Sequence, residues 1–274
     1  MAGTFDMLAW LSMGCDRLWR RTATGACFAI FALCALLVGL AIAPLIRRYS
    51  ATRQHAQQRV RRVVRLTCRG FIGLMRSLGL IDYRILHARR LSQPGRLLLA
   101  NHPSLIDALF LLAFTPNAGC IVKGRLASHP VTRGAIRAAG FIANREPRAM
   151  IAAAREALDN GQSLIVFPEG TRTTPGEPIR LRRGGAAIAM ASGAWITPVR
   201  IRCQPSTLIK GEPWYRVPPR KPCFVFEIGE GICPVDDVLP ARHRASSELT
   251  RRLEAYFNQP TLDEGAVHGE RVGT

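Results

Sequence analysis

The 274-residue sequence is poor in acid: 19 Asp and Glu stand against 38 Lys and Arg, a formal charge of +19. A chain this basic seeks polyanions, and two classes qualify, nucleic acid and the anionic face of a bilayer. The signatures of the first are missing, since no helix-turn-helix, zinc-finger or RNA-binding motif is present, and no nucleic-acid partner is expected. None of the eight cysteines stands at Cys-x2-Cys spacing, which argues against a zinc site or a disulfide framework and leaves free or buried thiols in a reducing compartment. No P-loop or Gly-x-Gly-x-x-Gly opens a helical stretch, so Gly184, Gly185 and Gly193 read as packing positions and not as a nucleotide cradle. Internal repeats and low-complexity tracts are absent too.

Charge is missing altogether from the 24 residues Ala23 to Ile46. As a helix they would span about 36 Å against a hydrocarbon core of about 30 Å, which predicts a transmembrane anchor over 23–46. A cleaved signal peptide is the rival, because Ala41-Ile42-Ala43 resembles a cleavage site. Signal cores are much shorter, about 7 to 15 residues, and Pro44 follows the site directly. Arg17, Arg20 and Arg21 precede the span, whereas Arg47, Arg48, Arg53, Arg59, Arg61, Arg62 and Arg65 follow it, so the chain after the anchor is expected on the cytoplasmic side. Residues 1–22 form a leader in which 2–16, with Phe5, Leu8, Trp10, Leu11 and Met13, are either a short interfacial helix or disordered.

Residues 47–82 read as a basic amphipathic helix, with Val60, Val63, Val64, Thr67, Phe71, Leu74, Met75 and Leu78 at helical period and arginines between them. It either lies on anionic lipid or packs on the following domain, and opposite faces could do both. From Tyr83 the pattern changes to short apolar runs alternating with helical stretches. Strands are predicted at 96–101, 119–123, 163–167, 195–202 and 223–228, and helices at 104–114, 131–139, 147–159, 183–192 and 243–257. This is an α/β layout over 83–258. WYRVPPRKP at 214–222 reads as a surface loop and 259–274 as a polar tail.

Two short motifs carry the chemistry. NHPSLID at 101–107 places His102 five residues before Asp107, and FPEGTRT at 167–173 follows about seventy residues later. An imidazole near its ordinary pKa can take a proton from an attacking hydroxyl at neutral pH, given a carboxylate to orient it. Positions five apart lie roughly 140° apart around a helix, so the pair needs a loop. Pro103 suits a helix edge, and Ser104 with Asp107 three residues on predicts a helix start capped by the hydroxyl. A Gly-Thr-Arg turn supplies amides, a hydroxyl and a guanidinium, the parts of a phosphate or carboxylate site. His55, His87, His129, His243 and His268 have no carboxylate at a matching offset inside a motif and are not expected to be catalytic.

With IVK at 121–123, AAGFIANR at 138–145, RRGGAAIAMASG at 182–193 and ITPV at 196–199, these blocks resemble the lysophospholipid acyltransferases that include 1-acylglycerol-3-phosphate acyltransferase. The likeness runs from about Arg96 to about Arg202. It implies an α/β domain with a central mixed sheet flanked by helices, here preceded by the N-terminal transmembrane helix and the basic amphipathic helix. It implies His102 and Asp107 as base and orienter, and Glu169, Gly170, Thr171 and Arg172 as the acceptor-binding block, with Glu169 ordering the loop. Lys123, in a block shared with the family, either steers the phosphates of donor or acceptor or is a solvated strand end. The family's middle block has Phe-Ile-x-Arg, whereas Phe141-Ile142-Ala143-Asn144-Arg145 puts Asn144 in the arginine's place and shifts Arg145 by one. Either a bulge lets Arg145 reach the acceptor, or Asn144 occupies the site and another head group is accepted.

The activity expected is transfer of a fatty acyl group from acyl-CoA or acyl-carrier protein to a lyso-lipid hydroxyl at an anionic membrane surface, with 1-acylglycerol-3-phosphate as acceptor. By resemblance the attack is direct, and no metal or other cofactor is expected. A basic membrane protein that binds nucleic acid or anionic lipid without catalysis would explain the charge but not the two motifs.

Overall fold

Leu97, Leu98, Leu99 and Ala100 are all buried, which a strand shows only when both faces of its sheet are covered. They form the middle of a seven-stranded sheet in a computed structural model that describes residues 2–234 and 242–259. In chain order the elements are α1 (Ala2–Leu37), a π turn (Val38–Ile42), α2 (Ala43–Arg48), α3 (Arg53–Ser77), β1 (Asp82–Leu86), a 3-10 turn (Ala88–Ser92), β2 (Leu97–Ala100), α4 (Asp107–Phe114), β3 (Ala118–Lys123), α5 (Gly124–Ser128), α6 (Arg133–Ala139), β4 (Ile142–Asn144), α7 (Pro147–Asp159), β5 (Ser163–Val166), α8 (Gly184–Ser192), β6 (Ile196–Gln204), β7 (Cys223–Ile228) and α9 (Arg242–Asn258).

The strand order is β1-β7-β6-β2-β5-β3-β4. Neighbours from β6 to β4 run parallel, β7 is antiparallel to β6, and β1 is parallel to β7, so the sheet is mixed. Alternate side chains of the central strands build two cores. Leu98, Ala100, Ile165, Val199 and Phe226 pack with Phe71, Ile72, Met75, Phe110 and Leu111 of α3 and α4. Leu97, Leu99, Leu164, Val166 and Ile196 pack with Met150, Ala154, Leu158, Ile188 and Leu253 of α7, α8 and α9. Each fully buried aliphatic side chain stabilises by about 1.5–3 kcal/mol.

The basic amphipathic segment is a helix, and one of its faces packs on the sheet, as one of the two readings offered for it requires. Its buried stripe is Ala56, Val60, Cys68, Phe71, Ile72 and Met75. Arg61 is buried with them, donating from Nε to Asn117 Oδ1 (2.7 Å) and from Nη1 to the Ala139 carbonyl (3.0 Å), and burial lowers its pKa to about 10. The arginines at 53, 59, 62, 69 and 76 remain exposed.

A single helix crosses residue 22, the boundary expected between leader and anchor. It begins at Ala2 and ends at Leu37. The helical stretch Cys15–Arg48, whose most apolar 18-residue window has mean hydropathy 2.7, is long and apolar enough to cross a membrane. Pro44 has no amide to donate to the ladder, and the turn ahead of it opens into the π turn. One face of this helix lies against α3 and α6: Ala23, Cys27, Ala35, Val38 and Ala43 are buried, and a Cβ on Gly39 would stand 2.9 Å from Gly134 Cα. The opposite face exposes Leu18, Trp19, Ile30, Leu33, Leu37, Leu40 and Leu45.

Two strands, β1 and β4, and the short α5 were not expected from the pattern, and 260–274 of the expected tail lie outside the described residues. The expected loop at 214–222 is part of the β6–β7 connection.

Candidate active site

The register of β2 with β6 ends at Ala100 opposite Val199, and the next residue extends it with a side chain. Asn101, buried, accepts from the Ile201 amide at Oδ1 (2.7 Å) and donates from Nδ2 to the Ile201 carbonyl (2.8 Å). This amide bridge mimics one more rung of the sheet and fixes where the chain leaves it. His102 therefore stands just past the carboxyl end of a central parallel strand, the place where open α/β sheets bind ligands.

The loop folds back as the five-residue spacing requires. His102 Nδ1 lies 2.9 Å from Asp107 Oδ2, and the same oxygen accepts the Ser104 amide at 2.7 Å. The expected hydroxyl cap is reversed: the helix begins at Asp107, whose carboxylate holds the Ser104 backbone, while Ser104 Oγ is buried without a partner among the described residues. The aspartate side chain is one atom longer than that of serine, and its Oδ2 serves both the amide three residues back and the ring five residues back. Asp107 is fully buried, and burial raises its pKa, opposed by the His102 hydrogen bond and charge, the Ser104 amide and the Arg172 charge. An ionised carboxylate only accepts, so the bond assigns the proton to Nδ1 and leaves the Nε2 lone pair for substrate.

The second motif begins where β5 ends, beside β2, with Leu99 in register with Val166. Phe167 stacks on the His102 ring at 4.1 Å between centroids and 23° between planes. The His102 amide donates to Glu169 Oε1 (2.9 Å) and Thr173 Oγ1 (3.0 Å), and Thr173 Oγ1 donates to the same Glu169 oxygen (2.7 Å). The Thr173 amide in turn donates to the His102 carbonyl (2.8 Å). Both backbone polar groups of His102 are thus held by FPEGTRT, and Glu169 orders the junction. Burial raises the Glu169 pKa, and the Asp107 charge adds to it, while the Thr173 hydroxyl and the His102 amide and charge pull it down.

Gly170 has φ +69°, in the left-handed region, and a Cβ there would come within 2.8 Å of Arg182 Nε. Thr171 is half-buried beside it. Arg172 Nη1 donates to the carbonyls of Leu208 (2.7 Å) and Ile209 (2.9 Å), while its Nε and Nη2 make no hydrogen bond among the described residues. Leu208 also accepts the Leu105 amide at 3.1 Å, so one carbonyl of the β6–β7 loop ties the two motifs together.

Lys123 and Asn144 are register partners at the ends of β3 and β4, both exposed, on the same edge of the sheet as His102. The Arg145 amide bonds back to the Ala143 carbonyl (3.0 Å), closing a tight turn, and its Nη2 donates to Ser128 Oγ (2.7 Å). Its side chain lies over Gly124, where a Cβ would stand 3.3 Å from Arg145 Cγ. In strand order β4 is three places from β2, about 14 Å at ordinary strand spacing. The structure brings His102, Asp107, Glu169, Gly170 and Arg172 together and sets Lys123, Asn144 and Arg145 farther along the edge.

Asn101, Phe167 and Thr173 were not singled out from the sequence. Their signal was position alone: they are the first residue of one motif and the two ends of the other. Among the described residues no three His, Cys, Asp or Glu side chains converge as a metal site would require. The arrangement can take a proton at Nε2 and offers cationic groups beside it, the requirements for activating a hydroxyl on an anionic substrate.

Residues 83–202 match the family model described as acyltransferase. A 1-acyl-sn-glycerol-3-phosphate acyltransferase of Helicobacter pylori (strain J99) is 27% identical over 191 residues, 66% of this chain and 72% of that protein. A protein of the same name from Pseudomonas aeruginosa is 26% identical over 226 residues, 78% of this chain and 82% of that one. In fold the chain is similar to the crystal structure of the 1-acyl-sn-glycerophosphate (LPA) acyltransferase PlsC from Thermotoga maritima, with TM-score 0.66 and 20% identity over 91% of this chain and 100% of that one.

Proposed function

We propose that this chain, which belongs to the 1-acylglycerol-3-phosphate acyltransferase-like lysophospholipid acyltransferases, acylates lysophosphatidic acid to phosphatidic acid. The observation that carries the reading is the His102–Asp107 pair clamped by FPEGTRT. The acceptor hydroxyl oxygen attacks the thioester carbonyl carbon while His102 Nε2 takes its proton. Asp107 holds the ring through Nδ1 and stabilises the imidazolium that forms. Collapse of the tetrahedral intermediate expels the thiolate, which recovers the proton from Nε2. Ester and free thiol are the products, and the step needs no metal or other cofactor.

Arg172 is the anchor of the acceptor's phosphate. Two carbonyls fix one nitrogen, so the remaining edge of the guanidinium is pre-aimed. Gly170 and Thr171 shape the turn beside it, and Lys123 and Arg145 extend the cationic edge along which the phosphate approaches. The acyl donor is acyl-CoA or acyl-carrier protein. The exposed apolar face of the N-terminal helix, joined by Leu66 of α3, meets the membrane. The arginine-rich flank after it keeps the catalytic domain on the cytosolic side of an anionic surface.

A second reading is favoured by one observation: Asn144 stands where the family has arginine, so a lyso-acceptor with another head group is the alternative substrate. Labelled acyl-CoA incubated with the purified protein and a panel of lyso-lipids separates the readings. Preferential acylation of lysophosphatidic acid supports the first, preference for a different lyso-lipid the second, and no transfer to any of them contradicts both.

A further inference from the structure

At the end of the sheet opposite His102 lies a cavity of about 250 Å3. Arg96 directly precedes β2, Trp195 directly precedes the parallel β6, and Gly229 to Gly231 follow the antiparallel β7, so all three approach the same edge. Six residues of extended chain, about 20 Å, separate Arg96 from His102, too far for a ligand here to be the reacting acceptor.

The lining is cationic and aromatic. The Arg96 guanidinium lies over the Trp195 ring at 5.0 Å, and Arg96 Nη1 is buried with no hydrogen-bond partner among the described residues. Gly231 keeps the stack open, since a Cβ there would stand 3.1 Å from both Arg96 Nη1 and Trp195 Cε3. Arg90 spends Nη1 on the Ile228 carbonyl (2.8 Å) and turns Nη2 to Glu230 Oε1 (3.0 Å). Glu230 is 86% exposed, so this ion pair is weak and its carboxylate fills the place of an exchangeable anion.

We infer that this cavity is a second site, remote from the catalytic centre, for a small anion bearing a phosphate or carboxylate group, held between the Arg96 and Arg90 guanidinium groups. Arg96 is stacked and therefore pre-oriented, and an anion taking the place of the Glu230 carboxylate would face both guanidinium-bearing side chains that line the cavity. The volume limits the ligand to a compact group, below the usual range of about 300–1,000 Å3 for drug-sized molecules. A soluble phosphate and a phosphate in a lipid head group share this chemistry.

The test is calorimetric titration of inorganic phosphate into the full chain in detergent. Arg96→Gln should weaken binding tenfold or more, and Arg172→Lys should leave that binding step unchanged because it lies at the other end of the sheet. Glu230→Gln, on an exposed side chain whose replacement does not threaten folding, should tighten binding several-fold. Binding that ignores both Arg96→Gln and Glu230→Gln, or that disappears with Arg172→Lys alone, overturns the site; should Arg96→Gln fail to fold, an unchanged Glu230→Gln overturns it by itself. Flotation with phosphatidylcholine vesicles, with and without phosphatidic acid, identifies the source. A phosphatidic acid-dependent loss in Arg96→Gln assigns a head group, and equal flotation of the two proteins beside a changed phosphate affinity assigns a soluble anion.

Discussion

Thr173→Val removes a hydroxyl that no simple reading of an acyltransferase site would call catalytic, yet the geometry gives it a large effect. The hydroxyl donates to Glu169 Oε1 at 2.7 Å and accepts the His102 amide at 3.0 Å. A hydrogen bond to a charged group contributes about 1.5–3 kcal/mol and a neutral one about 0.5–1.5 kcal/mol. The His102 amide retains Glu169 at 2.9 Å, so the second contribution is lost only in part. The expected destabilisation is about 2–4 kcal/mol, a fall in Tm of roughly 4–16 °C for a chain of this size. The sign of its pH dependence follows from Glu169. The hydroxyl lowers the carboxyl pKa by favouring the charged form, against the burial that raises it. The difference between wild type and variant is therefore full when the carboxylate is ionised and shrinks as pH falls through its folded pKa. Because the same hydroxyl positions the His102 backbone, kcat should drop on the order of 10²-fold, the cost of about 1 Å of misplacement. Thr173→Ser keeps the hydroxyl and should restore most of both properties. Thermal unfolding in detergent at acid and neutral pH, with initial rates of acyl transfer, measures all of this. A Thr173→Val protein with wild-type Tm and kcat would refute the view that the second motif holds the first.

Three further outcomes are expected. Asp107→Asn should lower kcat about 10²- to 10⁴-fold while gaining thermal stability relative to wild type as pH rises from acid to neutral. The raised folded pKa of Asp107 means that wild type loses stability as pH climbs through it, and asparagine does not; a flat difference in Tm across that range contradicts this. Arg172→Lys should raise the acceptor KM roughly 10- to 150-fold with little change in the donor KM, since lysine can neither bridge the Leu208 and Ile209 carbonyls nor present a fork. Equal effects on both substrates would move Arg172 out of the acceptor site. Arg145→Ala should raise the KM for lysophosphatidic acid about tenfold through loss of a charge-assisted contact, and a silent variant, with Asn144→Arg improving that acceptor, would reopen the substrate's identity.

Much of the architecture was legible where local chemistry and tertiary packing agree. Helix α7 occupies the predicted 147–159 because Pro147 suits the first turn and Glu146 caps it, accepting the amides of Arg148 and Ala149. The central strands stood out as uninterrupted apolar runs because both of their faces are covered. Strand β1 escaped notice because it is an edge strand carrying Asp82 and Arg84, and β4 because three residues are too few for a period. At the site, the five-residue spacing already required a loop that returns Asp107 to His102. What spacing could not reveal was the direction of the cap at Ser104, which depends on which side chain is long enough to serve two donors. Nor could it reveal that Arg172 is tied to Leu208 and Ile209, thirty-six and thirty-seven residues away in the chain. The docking of the N-terminal segment depends on Gly39 of the π turn meeting Gly134 of α6, a contact that no local pattern encodes.

The central claim, that His102 Nε2 takes the proton of the attacking hydroxyl, is tested most directly by single-turnover transfer of a labelled acyl group to lysophosphatidic acid by His102→Ala protein. A folded, membrane-bound variant should be slower by about 10²- to 10⁴-fold. Retention of more than about a tenth of the wild-type rate, far above that range, would contradict it.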